Sequence, residues 1–84
     1  MILIDLYNFS SGVREVVKVD EDTCVASGIE DILIRNNIAD RDRAGFVLFS
    51  VRNKGFLNPK CSFKELNVKG GDTLIFLERG IRYV

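Results

Sequence analysis

Lys69-Gly70-Gly71-Asp72-Thr73 is the stretch of this chain whose residue types come nearest to ligand chemistry. Glycine amides beside a lysine and a hydroxyl can cradle a phosphate, but that use needs G-x-x-x-x-G-K-[ST] leading from a strand into a helix. Here the lysine precedes the glycines, and the apolar run Leu74-Ile75-Phe76-Leu77 that follows reads as a strand. A glycine pair can also form the conjugating tail of a modifier, which must end freely and be slim enough to thread into an activating enzyme. Gly70 and Gly71 lie inside the chain, which runs on to Gly80-Ile81-Arg82-Tyr83-Val84. What remains is a turn, with glycine where φ is positive and Asp72 bonding to local main-chain amides ahead of the strand.

Other reactive types are sparse. The chain has no histidine, so it lacks a general base for neutral pH and any Ser-His or Cys-His pair. Cys24 and Cys61 stand apart rather than as C-x-x-C and have no histidine to complete a zinc set; they read as reduced, partly buried thiols. Asp20, Glu21 and Asp22 could in principle supply an acid and a base, but at the start of a helical pattern they read as caps and partners of the macrodipole. The expectation is a protein that is not an enzyme, with no catalytic residue, cofactor or metal.

Charge excludes further classes. Twelve Lys and Arg balance twelve Asp and Glu, leaving no global field to draw nucleic acid or anionic lipid. Arg35, Arg41, Arg43, Arg52 and Lys54 could gather at one end of a sheet, but Asp40 and Asp42 interleave with them, as in a solvated, ion-paired surface. The apolar start MILIDLY is broken by Asp5 and lacks the basic flank of a signal peptide. No run reaches the roughly 18 to 20 apolar residues of a membrane span. A cytoplasmic protein without direct membrane insertion is expected, and on that reading the Asn8-Phe9-Ser10 sequon is chance.

The elements follow from periodicity. Residues 2 to 8 alternate, with Ile2, Ile4 and Leu6 on one face and Leu3, Asp5 and Tyr7 on the other, as in a half-buried strand. The turn formers of NFSSG lead to the β-branched run VREVVKV, making an antiparallel hairpin. The period then changes: Val25, Ile29, Ile32 and Leu33 share one stripe of a helix over about 23 to 37. Asp22 or Thr23 is placed to cap it, and Asn36-Asn37 to stop it. Gly28 in its interior costs up to about 1 kcal/mol, which suggests close approach of another backbone. FVLFSVR reads as a third strand and Asn53-Lys54-Gly55 as a reversal into a short fourth at Phe56 and Leu57. Ser62 and Glu65 have capping-box spacing, so one helical turn is expected there, before the last strand with Leu74 and Phe76 on one face and Ile75 and Leu77 on the other.

This order predicts an α+β fold in which one main helix covers a mixed five-stranded sheet, the β-grasp arrangement, as a single domain over residues 1–84 with 78–84 as a C-terminal extension. The inward set is expected to be Ile2, Ile4, Leu6, Val17, Val19, Val25, Ile29, Leu33, Val47, Phe49, Val51, Leu66, Leu74 and Phe76. That leaves Phe46, Leu48, Ile75 and Leu77 on the far face of the sheet, the expected partner-binding patch. A protein partner, a second copy of the chain, or the tail with Ile81, Tyr83 and Val84 are the alternative covers for it.

EDTCVASGIEDIL resembles the Asp-Thr-capped helix of ubiquitin, and FKELNVKGGDTLIFL resembles the ubiquitin-like pattern of Leu, a short turn, Gly-Asp-x-Leu and a final strand. Within ubiquitin-like proteins, FSVRNKGFLNPKCSFKELNVKGGDTLIFL is most similar to the small bacterial YukD and EsaB type, components of type VII secretion systems. The similarity covers residues 1 to about 77, and its motif of Gly71, Asp72 and Leu74 is shared by many β-grasp proteins. It implies a cytoplasmic accessory protein, peripheral to a membrane secretion complex, that contacts other secretion components. Such proteins usually stop soon after the last strand, whereas this chain continues with ERGIRYV. That departure leaves open a different ubiquitin-like subgroup or a ubiquitin-like domain of a larger protein, and a modifier processed after Gly80 and conjugated is the separate alternative.

Overall fold

The computed structural model describes residues 1–38 and 45–78. Six elements form in the expected order: β1 (Ile2–Asn8), β2 (Arg14–Val19), α1 (Val25–Arg35), β3 (Phe46–Ser50), β4 (Gly55–Phe56) and β5 (Thr73–Glu78). They build one five-stranded sheet in the spatial order β2-β1-β5-β3-β4. The two central strands, β1 and β5, run parallel, while β2 pairs antiparallel with β1, and β3 with both β5 and β4.

Asn8 closes the β1–β2 hairpin. Its side-chain Oδ1 accepts the amides of Ser10 and Ser11, and its own amide donates to the Val13 carbonyl at 2.8 Å. Gly12, at φ +73°, takes the conformation that a side chain would strain.

The helix starts differently from expectation. Cys24 occupies the N-cap position without a side-chain hydrogen bond, and no acidic residue lies in the first turn. The expected caps serve the preceding turn instead: Asp20 Oδ1 accepts the Asp22 amide, and the Thr23 hydroxyl donates to the Asp20 carbonyl. The exposed helix amides are satisfied by the 58–62 loop, with Val25 donating to the Cys61 carbonyl at 2.8 Å and Ala26 to that of Pro59 at 3.0 Å. A main-chain loop can answer orphan donors as well as a side chain can.

The other end follows the expected stop. Asn37 adopts φ +57°, its amide donates to Ile34, and that of Ile38 to Leu33. These two bonds are the Schellman pattern. Ser62 and Glu65 exchange the two bonds of the expected capping box, at 2.9 and 3.0 Å.

The core lies between α1 and the inner face of the sheet. Ile4, Leu6, Val17, Leu48, Leu74 and Phe76 meet Val25, Ile29, Ile32 and Leu33 there, and Leu57, Phe63 and Val68 close it from the loop after β4. Gly28 makes room for the Phe63 ring rather than for a backbone. A Cβ on it would stand 2.7 Å from Phe63 Cζ and 2.9 Å from Cε2.

Candidate functional site

The side of the sheet that each β3 residue faces decides which residues reach a partner. Directly paired residues share a face, and Leu48 pairs with Phe76, Phe49 with Ile75, and Val47 with Leu77. Leu48 is 0% exposed and Phe76 1%; Phe46 stacks on Phe76 with ring centroids 4.9 Å apart. Phe46 and Leu48, expected on the far face, therefore look toward the helix. Val47 and Phe49, expected inward, look away from it, and Val51, also expected inward, is exposed.

The cause is local. Phe46-Val47-Leu48-Phe49 is apolar at four successive positions, so alternation cannot set its phase. Ser50, the one polar residue that could set it, sits fully buried on the inner face, where its Oγ accepts the Asn53 amide at 3.2 Å. A satisfied hydroxyl can occupy such a position without the cost of an orphan polar group.

Ile75 and Leu77 take the expected far face, half-buried. With Val47 and Phe49 they form an apolar cluster over β3 and β5, extended to β1 by Tyr7, the partner of Ile75. Phe56 on β4 completes it, 65% exposed and edge-on to the Phe49 ring at 5.3 Å. The sequence signal for Phe56 was its alternation with the buried Leu57.

Polar groups border this cluster. On one side Asp5 accepts from the Arg14 guanidinium and from the Thr73 hydroxyl, the latter at 3.3 Å. The Arg14 hydrogen bond is the main cause holding the Asp5 carboxyl below its ordinary range. On the other side Arg52 grips Asp72, with Nε at 3.0 Å from Oδ1 and Nη2 at 3.0 Å from Oδ2, and also donates to the Asn67 carbonyl. Burial pushes the Asp72 carboxyl up, but the Arg52 bond and the Lys69 amide, 2.9 Å away, together hold it below its usual value.

The same contacts settle the glycine pair as a turn. Gly71 has φ +87°, and its amide donates to the Leu3 carbonyl at 2.8 Å. That amide is already committed within the fold, so it does not face a phosphate.

Of the basic set, Arg35 meets Glu15 at 3.5 Å and Arg52 meets Asp72; Arg41, Arg43, Asp40 and Asp42 lie outside the described residues, as does the tail from residue 79. Cys24 and Cys61 are unpaired and partly buried, and the Ser27 hydroxyl, 3.5 Å from Cys24 Sγ, is the main cause lowering that thiol's pKa. Among the described residues no group of three or more Cys, Asp or Glu could hold a metal ion, and no helix is long and apolar enough to cross a membrane.

No family model matches the chain, and no curated protein matches it in sequence. Among solved structures it is similar to a protein designed on the basis of ubiquitin, with a TM-score of 0.74 over 99% of this chain and 94% of that one. The fold is the ubiquitin-like β-grasp. Sequence identity to the design is 18%, so the likeness concerns the path of the backbone. The far face of this β-grasp sheet carries the cluster of Val47, Phe49, Phe56, Ile75 and Leu77, with no described element lying across it.

Proposed function

We propose that this β-grasp domain is a noncatalytic protein-binding module that holds its partner on the sheet face opposite α1. One observation carries the reading: five apolar side chains on three adjacent strands converge on that face, with Phe56 left 65% exposed. Covering the exposed Phe56 contributes about 1–2 kcal/mol, and the half-buried Val47, Phe49, Ile75 and Leu77 add smaller amounts each. The corresponding face of ubiquitin binds partners, which supports the same use here.

The more specific reading is an accessory component of a bacterial type VII secretion system, working in the cytoplasm against other secretion components. It is supported by the resemblance of residues 49–77 to the YukD and EsaB type. The test is capture from the host by the tagged chain and by its Phe56→Ser/Ile75→Ser variant, with circular dichroism confirming that the variant is folded. Secretion-system proteins retained by the first and lost by the second are the expected result. Equal capture by both refutes the face, and capture confined to proteins without a part in export refutes the secretion assignment.

A further inference from the structure

Phe56, the most exposed apolar side chain of the far-face cluster, stands on the shortest element of the fold. β4 has two residues and ends the sheet, with no described strand beyond it. The turn that delivers it, residues 51–54, is exposed at all four positions, so packing does not hold it. Within that turn Lys54 adopts φ +55°, the left-handed region that strains a residue with a side chain. Such a residue keeps this conformation only where its surroundings over-determine it.

Three successive residues supply that constraint. The Val51 amide donates to the Thr73 carbonyl at 3.2 Å, and Asn53 donates from Nδ2 to the Leu66 carbonyl at 3.1 Å and from its amide to Ser50 Oγ at 3.2 Å. Between them Arg52 donates from Nε to both Asp72 oxygens, at 3.0 and 3.1 Å, and from Nη2 to Oδ2 at 3.0 Å and to the Asn67 carbonyl. The segment that receives these bonds is rooted in the core: Val68 is buried, Leu66 packs against the cluster, and the Val68 amide donates to the Phe63 carbonyl at 2.9 Å. A planar guanidinium meets a carboxylate and a carbonyl together, which a lysine ammonium does not reproduce.

We infer that Arg52 is a positioning residue of the docking face: through its fork on Asp72 and Asn67 it fixes the 51–54 turn and so presets Phe56, an assignment that rests on the reading of that face as the binding site. With the turn fixed, Ser50 stays paired with Gly55 and Phe49 with Phe56, and the two rings keep their edge-on contact at 5.3 Å before a partner arrives. A ring already held in place has less freedom to lose on contact, which favours affinity. Arg52 itself acts through Phe56 and is not required to touch the partner.

The test is nuclear magnetic resonance on the isotope-labelled full chain at neutral pH, reading backbone order parameters and the Overhauser effects between the Phe49 and Phe56 rings. In the unsubstituted chain, residues 53–56 should be as ordered as the strands, with values near roughly 0.85. In Arg52→Ala they should fall below about 0.6 and the ring-to-ring effects should weaken severalfold, while α1 and β1 keep their order. Arg52→Lys, which retains the charge and loses the fork, should loosen the same residues, as should Asp72→Asn; these milder variants carry the test if Arg52→Ala does not fold. Unchanged order at 53–56 in Arg52→Ala, full retention in Arg52→Lys, or a loss of order shared equally by α1 each overturn the inference. These readouts come from the free chain, so their failure leaves the far-face reading standing, and a failed capture experiment leaves the placement of Phe56 by Arg52 standing.

Discussion

Leu48 and Phe49 are sequence neighbours on β3 with opposite fates, and truncating each in turn tests the strand phase on which the proposed surface depends. Leu48 is fully buried beside Phe76. Leu48→Ala removes three carbons at about 0.8 kcal/mol each, and the space they leave in a closed core raises the cost to about 3 kcal/mol. Phe49 is half-buried, and its main identifiable partner is the Phe56 ring, 5.3 Å away and edge-on. Such a ring pair is worth about 0.5–1.5 kcal/mol beyond the area it buries, and the half-covered ring adds about 1 kcal/mol of its own, so Phe49→Ala should cost about 2 kcal/mol.

Urea unfolding followed by circular dichroism reads the difference. With a slope of about 1 kcal/mol per molar, as in small domains, the midpoint should fall by about 3 M for Leu48→Ala and about 2 M for Phe49→Ala. The paired result matters more than either value. If Phe49→Ala proves as costly as Leu48→Ala, β3 has the other phase, and the far face presents Phe46 and Leu48 instead.

Two further outcomes follow from the packing and the charges. Gly28→Ala gains up to about 1 kcal/mol of helix propensity but drives a methyl into the fully buried Phe63 ring at 2.7 Å, an overpacking cost of about 2–3 kcal/mol. A net loss of about 1–2 kcal/mol in urea is expected, eased by Gly28→Ala/Phe63→Leu; a higher midpoint for the single variant refutes the contact. Asp72 has a depressed folded pKa, so its contribution to stability is present above the unfolded carboxylate value of about 4 and is lost as pH falls through the folded one. Asp72→Asn should therefore flatten the acid limb of stability against pH below about pH 4, and parallel acid limbs for the two proteins contradict the Arg52–Asp72 linkage.

Much of the fold is legible in the order of the residues. Ile2, Ile4 and Leu6 alternate cleanly against polar or exposed neighbours, so the first strand could be assigned a face. The stripe of Val25, Ile29, Ile32 and Leu33 marks the helix, the Asn pair its end, and Ser62 with Glu65 the capping box, because each of these signals acts over four residues or fewer. Phe63 gave no such signal. It sits in a loop, and its burial depends on Gly28, thirty-five positions earlier in the chain.

Local chemistry alone determined the hairpin, the helix and its stop, the glycine turn held by Asp72, and the lack of any histidine-based catalysis. Each is fixed by near neighbours, dihedral preferences or composition. Tertiary structure alone decided the phase of Phe46-Val47-Leu48-Phe49, the main-chain capping of α1 by the 58–62 loop, and the grip of Arg52 on Asp72. Those outcomes depend on which strand or loop lies alongside, and a uniformly apolar run reads the same from either face until its partner sets the register.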